Sequence, residues 1–216
     1  MIHCAASQGI TSSVKALLAD GRVHPDFQDR FGRTALHWAA RQGHLETVVA
    51  LLSSGALIHL FSLFNATPLM LAALGGHDNV VRCLLRAGAG TLGGDCQNPY
   101  PVLWKPTALH FAAKGGHIGV VTTLLNAGFH RDQPDEDPQY GRTPLHRAVY
   151  FRHFEILKIL LDADANPNLA DCYGVTPLHL VAVSGCTAGA ARLLEAGADT
   201  TACTRDGYSP LHLAVA

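Results

Sequence analysis

The 216-residue chain carries 16 basic against 17 acidic side chains, a net charge of −1 with histidine neutral, and 48% hydrophobic residues. That balance excludes a general attraction to nucleic acid or to an acidic membrane surface, while the hydrophobic content is ample for a large core. The start Met1-Ile2-His3-Cys4 lacks the basic head and long apolar stretch of a secretion signal, and no uncharged apolar run is long enough to span a bilayer.

In chain order, residues 1–30 give a helical pattern with Ile2-His3, Gly9 and Leu17-Leu18, and a fuller copy follows. It opens on Thr34-Ala35-Leu36-His37 and continues through Ala39-Ala40, Gly43-His44, Val48-Val49 and Leu51-Leu52 to Gly55. Thr67-Pro68-Leu69-Met70, Thr107-Ala108-Leu109-His110, Thr143-Pro144-Leu145-His146, Thr176-Pro177-Leu178-His179 and Ser209-Pro210-Leu211-His212 repeat the opening phrase, at intervals of 33, 40, 36, 33 and 33. The Thr or Ser hydroxyl suits an N-cap, and proline suits the first helical position, where its missing N–H costs nothing. Small residues after the phrase let a neighbouring helix approach. A Gly-His pair breaks the chain, and the second apolar rhythm lays one stripe on a second helix. Gly55, Gly88, Gly128 and Gly197, each eighteen residues after the His (or Met70) place, suit a left-handed helix end.

Several places depart from the pattern. Leu57 to Phe64 form an apolar run before the third phrase, and Asn65 stands where a glycine is expected. Seven extra residues lie between Gly88 and Thr107, in a stretch holding Pro99, Tyr100, Pro101, Trp104 and Pro106. Three more lie between Gly128 and Thr143, beside the acidic run Asp132, Asp135, Glu136 and Asp137. Arg152 replaces the internal Gly and Asp164 the terminal one, each at a place that wants positive φ, so residues 143–175 are expected to be a weak link.

A fixed period of this size means stacked supersecondary units. The phrase, the period and the internal Gly-His resemble the ankyrin repeat over essentially the whole chain. The resemblance implies an all-α ankyrin-repeat solenoid of stacked helix-turn-helix units with β-hairpin-like fingers, read as a single array. Its units fall at about 1–28, 29–61, 62–94, 102–134, 138–170 and 171–203, with a partial unit at 204–216 and an insertion at about 90–106. Ala216 is expected to be a truncation point, or the last helix, with Leu211, Leu213 and Val215, to be capped by another segment.

Residues that could carry chemistry have plainer explanations. Gly88-Ala89-Gly90-Thr91-Leu92-Gly93 matches a dinucleotide fingerprint as a string, but it ends a helix instead of opening one. Of thirteen histidines, His3, His37, His110, His146, His179 and His212 hold the phrase place, and His44, His77, His117 and His153 the inter-helix turn. His24, His59 and His130 remain, one apiece in different fingers. The family implies that the phrase His bonds the capping hydroxyl and braces its neighbour. The acidic run lacks the alternating ligands and central Gly of a calcium loop and reads as a solvated tip. Six cysteines without a C-x-x-C pair, in a chain with a large core, point to reduced thiols in a cytoplasmic or nuclear compartment. Neither metal nor cofactor nor catalytic residue is implied.

The expectation is a protein-binding module for another protein, one that binds no nucleic acid and does not insert in a membrane, and is a monomeric array. Two alternatives remain open. One is the targeting or regulatory arm of a longer enzyme or ubiquitin-ligase adaptor, the other an arm of a channel. The resemblance places contacts on finger tips and on two positions before the internal Gly-His. Those are Arg30, Phe31, Arg33, Arg41 and Gln42 in the second unit, Leu63, Phe64 and Leu74 in the third, and Lys114 in the fourth. Gln139, Tyr140, Arg142, Tyr150 and Phe151 follow in the fifth, then Tyr173 and Val183 in the sixth. Phe61, Tyr100 and Trp104 join them through the apolar finger and the insertion, which either share the contact face or seal against each other. Asn168, with Leu160 eight residues earlier, fits the finger pattern of asparaginyl-hydroxylase substrates in the family, and more simply an Asn that holds its own turn.

Overall fold

The computed structural model describes residues 1–90, 107–135 and 140–215. The chain divides into two compact units, Met1–Val102 and Leu103–Ala216, so the break falls in the sequence insertion. In the N-terminal unit, α1 (Ile2–Ser7), α3 (Ala35–Gln42) and α5 (Pro68–Gly75) pack side by side in that order as one layer. The second layer is α2 (Thr11–Ala19), α4 (Leu45–Ser53) and α6 (Asp78–Arg86), each packed on the helix that precedes it in the chain. The C-terminal unit repeats this. Its inner layer is α7 (Ala108–Gly115), α9 (Pro144–Tyr150), α11 (Pro177–Ser184) and α13 (Pro210–Ala214). Its outer layer is α8 (Ile118–Asn126), α10 (Phe154–Asp162) and α12 (Thr187–Glu195). No strand occurs among the described residues.

None of these helices exceeds nine residues, below the roughly 12–15 at which an isolated helix becomes even marginal in water. Stacking therefore holds them. The phrase leucines Leu36, Leu109 and Leu145, the small residues Ala39, Ala40, Ala72, Ala73, Ala112 and Ala113, and the stripe residues Val48, Leu51, Val81, Leu84, Val121 and Leu124 are wholly out of solvent. Each buried leucine contributes about 1.5–3 kcal/mol over an exposed one. The caps form as expected: the hydroxyls of Thr67, Thr143 and Ser209 accept the N–H three residues on, at 3.3, 3.4 and 3.4 Å. Proline sits at the start of α5, α9, α11 and α13.

Positive φ occurs at three non-glycine residues among those described: Asn65 (56°), Arg152 (62°) and Asp164 (60°). They are the three positions where the repeat pattern lost a glycine. The exposed Asp164 bonds through its backbone, its N–H donating to Leu161 O and its carbonyl accepting from Arg131 Nε, both at 2.9 Å, and its side chain makes no hydrogen bond among the described residues. Asp164→Gly should therefore raise stability by about 1 kcal/mol, because it relieves left-handed strain and removes no side-chain contact that holds the fold. Chemical denaturation will measure this; a loss of stability would show that the aspartate side chain has a structural role.

The acidic stretch corrects the reading of a solvated tip. Asp135 is buried, its carboxylate accepting the N–H of Arg142 at 2.7 Å and the guanidinium of Arg147. It is the counterpart of Asp29 and Asp171, which close the same finger turn five residues before the phrase. In the regular finger Asp29 N–H donates to Arg33 O at 2.8 Å; here Asp135 N–H donates to Arg142 O at 2.8 Å. The base of the finger thus keeps its regular pairing on either side of the extra residues. Glu136 and Asp137, like Gln139, Tyr100, Trp104 and the second half of the Gly88–Gly93 string, lie outside the described residues.

Candidate binding face

Two sets of histidine bridges fix the spacing of the repeats, and everything exposed is hung on them. In the first, Nδ1 of His37 accepts the Thr34 N–H at 3.1 Å, so the ring proton sits on Nε2, which donates to Ala66 O in the next repeat at 3.0 Å. His110 bridges to Arg142 O, His146 to Val175 O and His179 to Tyr208 O, each at 3.0 Å with the same N-cap contact. A second proton would face an N–H donor in a dry site. Burial accordingly lowers His37 and His146 from 6.5 to about 4, and His110 to about 3. The Met70 side chain, in the same place, has no donor for a bridge, and its sulfur receives the Thr67 N–H at 3.5 Å.

In the second set, the turn histidine reaches back. His44 Nε2 donates to Ser7 O at 3.0 Å, His77 to Arg41 O at 3.0 Å and His153 to Lys114 O at 3.1 Å. The finger histidines also have work: Nδ1 of His24 and of His130 accepts the N–H two residues on, both at 3.2 Å. Asn166 and Asp199 make that same bond in their own fingers.

The predicted contact residues fall into one cluster per unit. In the N-terminal unit, Asp29 takes the N–H groups of Phe31 and Arg33, the Arg33 Nε at 2.9 Å and the Trp38 indole at 3.2 Å. Burial pushes this carboxyl up, but the bonds from Arg33, Phe31 and Trp38 outweigh it and hold the group below its ordinary 3.8. The Arg33 guanidinium is left 4.6 Å from the centre of the Phe31 ring and 4.1 Å from that of Trp38. Arg30 covers Phe31 at 4.6 Å, and Phe64 of the next finger stacks on it at 5.9 Å. Leu63 and Phe64 are exposed, Phe61 half-buried. Arg41 and Gln42 are exposed at the end of α3, with Leu74 half-buried at the end of α5.

In the C-terminal unit Asp171 repeats the role of Asp29, taking the Tyr173 and Val175 N–H groups and the Arg142 Nε at 3.3 Å. Arg142 lies over Tyr140 at 4.4 Å and Tyr150 at 5.0 Å. Tyr140 meets Tyr173 at 5.8 Å, Tyr150 meets Phe151 edge-on at 5.1 Å, and the Lys114 ammonium stands 5.6 Å from the Phe151 ring centre. Arg33 and Arg142 are thus posts that hold aromatic rings in position. The outward members are Arg30, Leu63 and Phe64 in one unit, and Lys114, Tyr150, Tyr173 and Val183 in the other. Sequence reading missed Asp29, Trp38 and Asp171, and took Arg152 only as a strained replacement for glycine. The constant five-residue spacing from Asp29 to Thr34 and from Asp171 to Thr176 was the available signal.

Asn168 holds the following finger instead of its own turn, which Asn166 closes. Its carboxamide donates to Gly197 O at 2.9 Å and accepts the Asp199 N–H at 2.7 Å in the following finger. Asp26 and Asp132 accept the corresponding N–H from Leu57 and Asn166.

The comparisons with known proteins agree with this architecture. The family described as ankyrin repeats in three copies matches residues 2–93 and 90–171, and a single ankyrin repeat matches residues 173–205. The chain belongs to the ankyrin-repeat family. It is 32% identical to human inversin over 173 residues, 80% of this chain and 16% of inversin. It is 31% identical to the probable E3 ubiquitin-protein ligase XBOS32 of Oryza sativa subsp. japonica over 166 residues, 76% of this chain and 31% of the ligase. Against the human transient receptor potential cation channel subfamily A member 1, identity is 39% over 92 residues, 41% of this chain and 8% of the channel subunit. The chain thus spans less than a third of each of these relatives. Among solved structures, the human ASB11 ankyrin repeat domain superposes with a TM-score of 0.85 at 28% identity, covering 99% of this chain and 90% of that one. The ankyrin repeat domain of Bcl-3 superposes at 0.79 with 26% identity, covering 98% and 92%.

Proposed function

We propose that this chain binds another protein through the finger and inner-helix side of its repeats, and that it performs no chemistry of its own. Ankyrin repeats are protein-interaction modules, and the carrying observation is that both units present aromatic rings held by an Asp-Arg pair at the base of the fingers, within one finger at Asp29 and Arg33 and between two fingers at Arg142 and Asp171. Rings fixed before binding lose little freedom on contact, which is what binding hot spots require. The polar groups with the most unusual environments, the phrase histidines, are spent on bridges between repeats. Five free cysteines among the described residues, Cys4, Cys83, Cys172, Cys186 and Cys203, support a reducing compartment.

Capture from an extract of the producing organism tests the face. Tyr150→Ala/Tyr173→Ala should lose a partner that wild type retains, at a cost of about 2 kcal/mol or roughly thirtyfold, with unchanged thermal unfolding. Glu155→Ala/Lys158→Ala, exposed on α10, is the control. Loss on the control and retention on the tyrosine pair would place binding on the other side.

A second reading is favoured by the relatives' lengths, of which the matches span 8 to 31%. In it, the array is the targeting or regulatory arm of a longer polypeptide. An antibody to residues 107–135 that detects a native protein of about 22.9 kDa would exclude it.

A further inference from the structure

The cation and aromatic contacts of the C-terminal unit run on without a gap. Lys114 meets Phe151, Phe151 meets Tyr150, Arg142 lies over Tyr150 and Tyr140, and Tyr140 meets Tyr173. This ribbon leads from the turn end of α7 and α9 to the fingertips. At its turn end the exposed Arg152 follows Phe151, and Val183, 67% exposed, closes α11 on the neighbouring repeat.

The charge of the inner helices and their turns is one-signed. The inner helices with their phrases and turns, residues 107–117, 143–153 and 176–186, contain Lys114, Arg147 and Arg152 and no aspartate or glutamate. Arg147 is spent on Asp135, and Arg142 in the finger on Asp171. Lys114 and Arg152 form no ion pair among the described residues, in a chain whose overall charge is −1. Two uncompensated cations beside exposed tyrosine and valine ask for carboxylates and an apolar side chain from the same ligand.

We infer that this ribbon receives an extended acidic segment of another protein, with Asp or Glu carboxylates on Lys114 and Arg152 and an apolar or aromatic side chain against Tyr150 and Val183. This rests on the reading of the chain as a protein-binding array and gives that partner its chemistry. Arg142 serves as a positioning residue: it keeps Tyr140 and Tyr150 in place while its own charge is met by Asp171.

A random-peptide library selected on the full chain tests it, with the selected peptides then measured by fluorescence anisotropy. The expected peptides are rich in Asp and Glu beside an aromatic or aliphatic residue, and they bind more weakly as salt rises. Lys114→Glu/Arg152→Glu should weaken them by roughly tenfold or more without changing thermal unfolding. Peptides with those acids replaced by Lys should recover binding to the charge-reversed chain. Peptides without acidic enrichment, acidic peptides indifferent to the reversal, or a library that yields no binder would each overturn the inference. If neutral peptides emerge that Tyr150→Ala abolishes, the acidic ligand is wrong and the binding face stands. If binders are lost only on Glu155→Ala/Lys158→Ala, both fail.

Discussion

Acidification from pH 7 to 5 is expected to remove on the order of 5 kcal/mol of stability, a large part of the total for a protein of this size. His37, His110 and His146 are held near 4, 3 and 4 in the folded chain against 6.5. Their folded values are depressed, so the unfolded chain binds the extra protons. The contribution is complete above 6.5 and is lost as pH falls from there toward the folded values. At pH 5 the loss is about 2 kcal/mol per site. The geometry gives the same sign independently. Each Nδ1 already accepts an N–H and each Nε2 already donates to a carbonyl, so a proton added at Nδ1 breaks a bridge end. Carboxylates such as Asp29 act only near and below 3.8 and do not share this window. Urea unfolding at several pH values checks the slope, and calorimetry in buffers of different ionisation heat counts the protons. At pH 5 unfolding should take up nearly three. Equal stability at pH 7 and 5 would mean that the imidazoles are not held neutral.

The repeat, its helix pairs and its glycine-like positions were legible because they are local. A capping phrase, a 3.6-residue stripe and a positive-φ site each depend on neighbours within a few residues. The finger at 132–142 was misread because a seven-residue gap hid Asp135 as the partner of Arg142, and adjacent carboxylates looked like one solvated run. The ribbon was half legible. Lys114, Tyr140, Arg142, Tyr150, Phe151 and Tyr173 follow from register within the repeat. That Arg142 spends its Nε on Asp171 of the next finger, and so braces rings instead of offering a charge, depends on stacking that register alone does not report.

Cys186 stands at the turn-histidine place next to the repeat whose internal glycine is replaced by Arg152, and undoing both departures should stabilise the chain. A Cβ placed on Gly9, Gly43 or Gly116 would lie 2.6, 2.4 or 2.6 Å from the ring of His44, His77 or His153, the turn histidine of the following repeat. The glycine is therefore required twice, by φ values of 70, 78 and 79° and by the imidazole stacked on it. Arg152 escapes the second requirement because the following repeat carries Cys186, whose sulfur caps α12 by accepting the Gly189 N–H at 3.4 Å. Gly116→Ala should cost about 3 kcal/mol, combining left-handed strain with overpacking, and adding His153→Ala should recover part of it. Conversely, Cys186→His alone should destabilise by about 2 kcal/mol, since its ring would meet the Arg152 Cβ. Arg152→Gly/Cys186→His should gain about 1–2 kcal/mol, from relieved strain and a new bridge to Tyr150 O, the carbonyl two residues before the glycine place. The same double variant removes a cation from the ribbon, so it should bind acidic peptides more weakly while unfolding at a higher temperature. That opposition is what distinguishes a strained residue kept for contact from one merely tolerated. A double variant whose change in stability equals the sum of those of Arg152→Gly and Cys186→His would show that the two positions are independent.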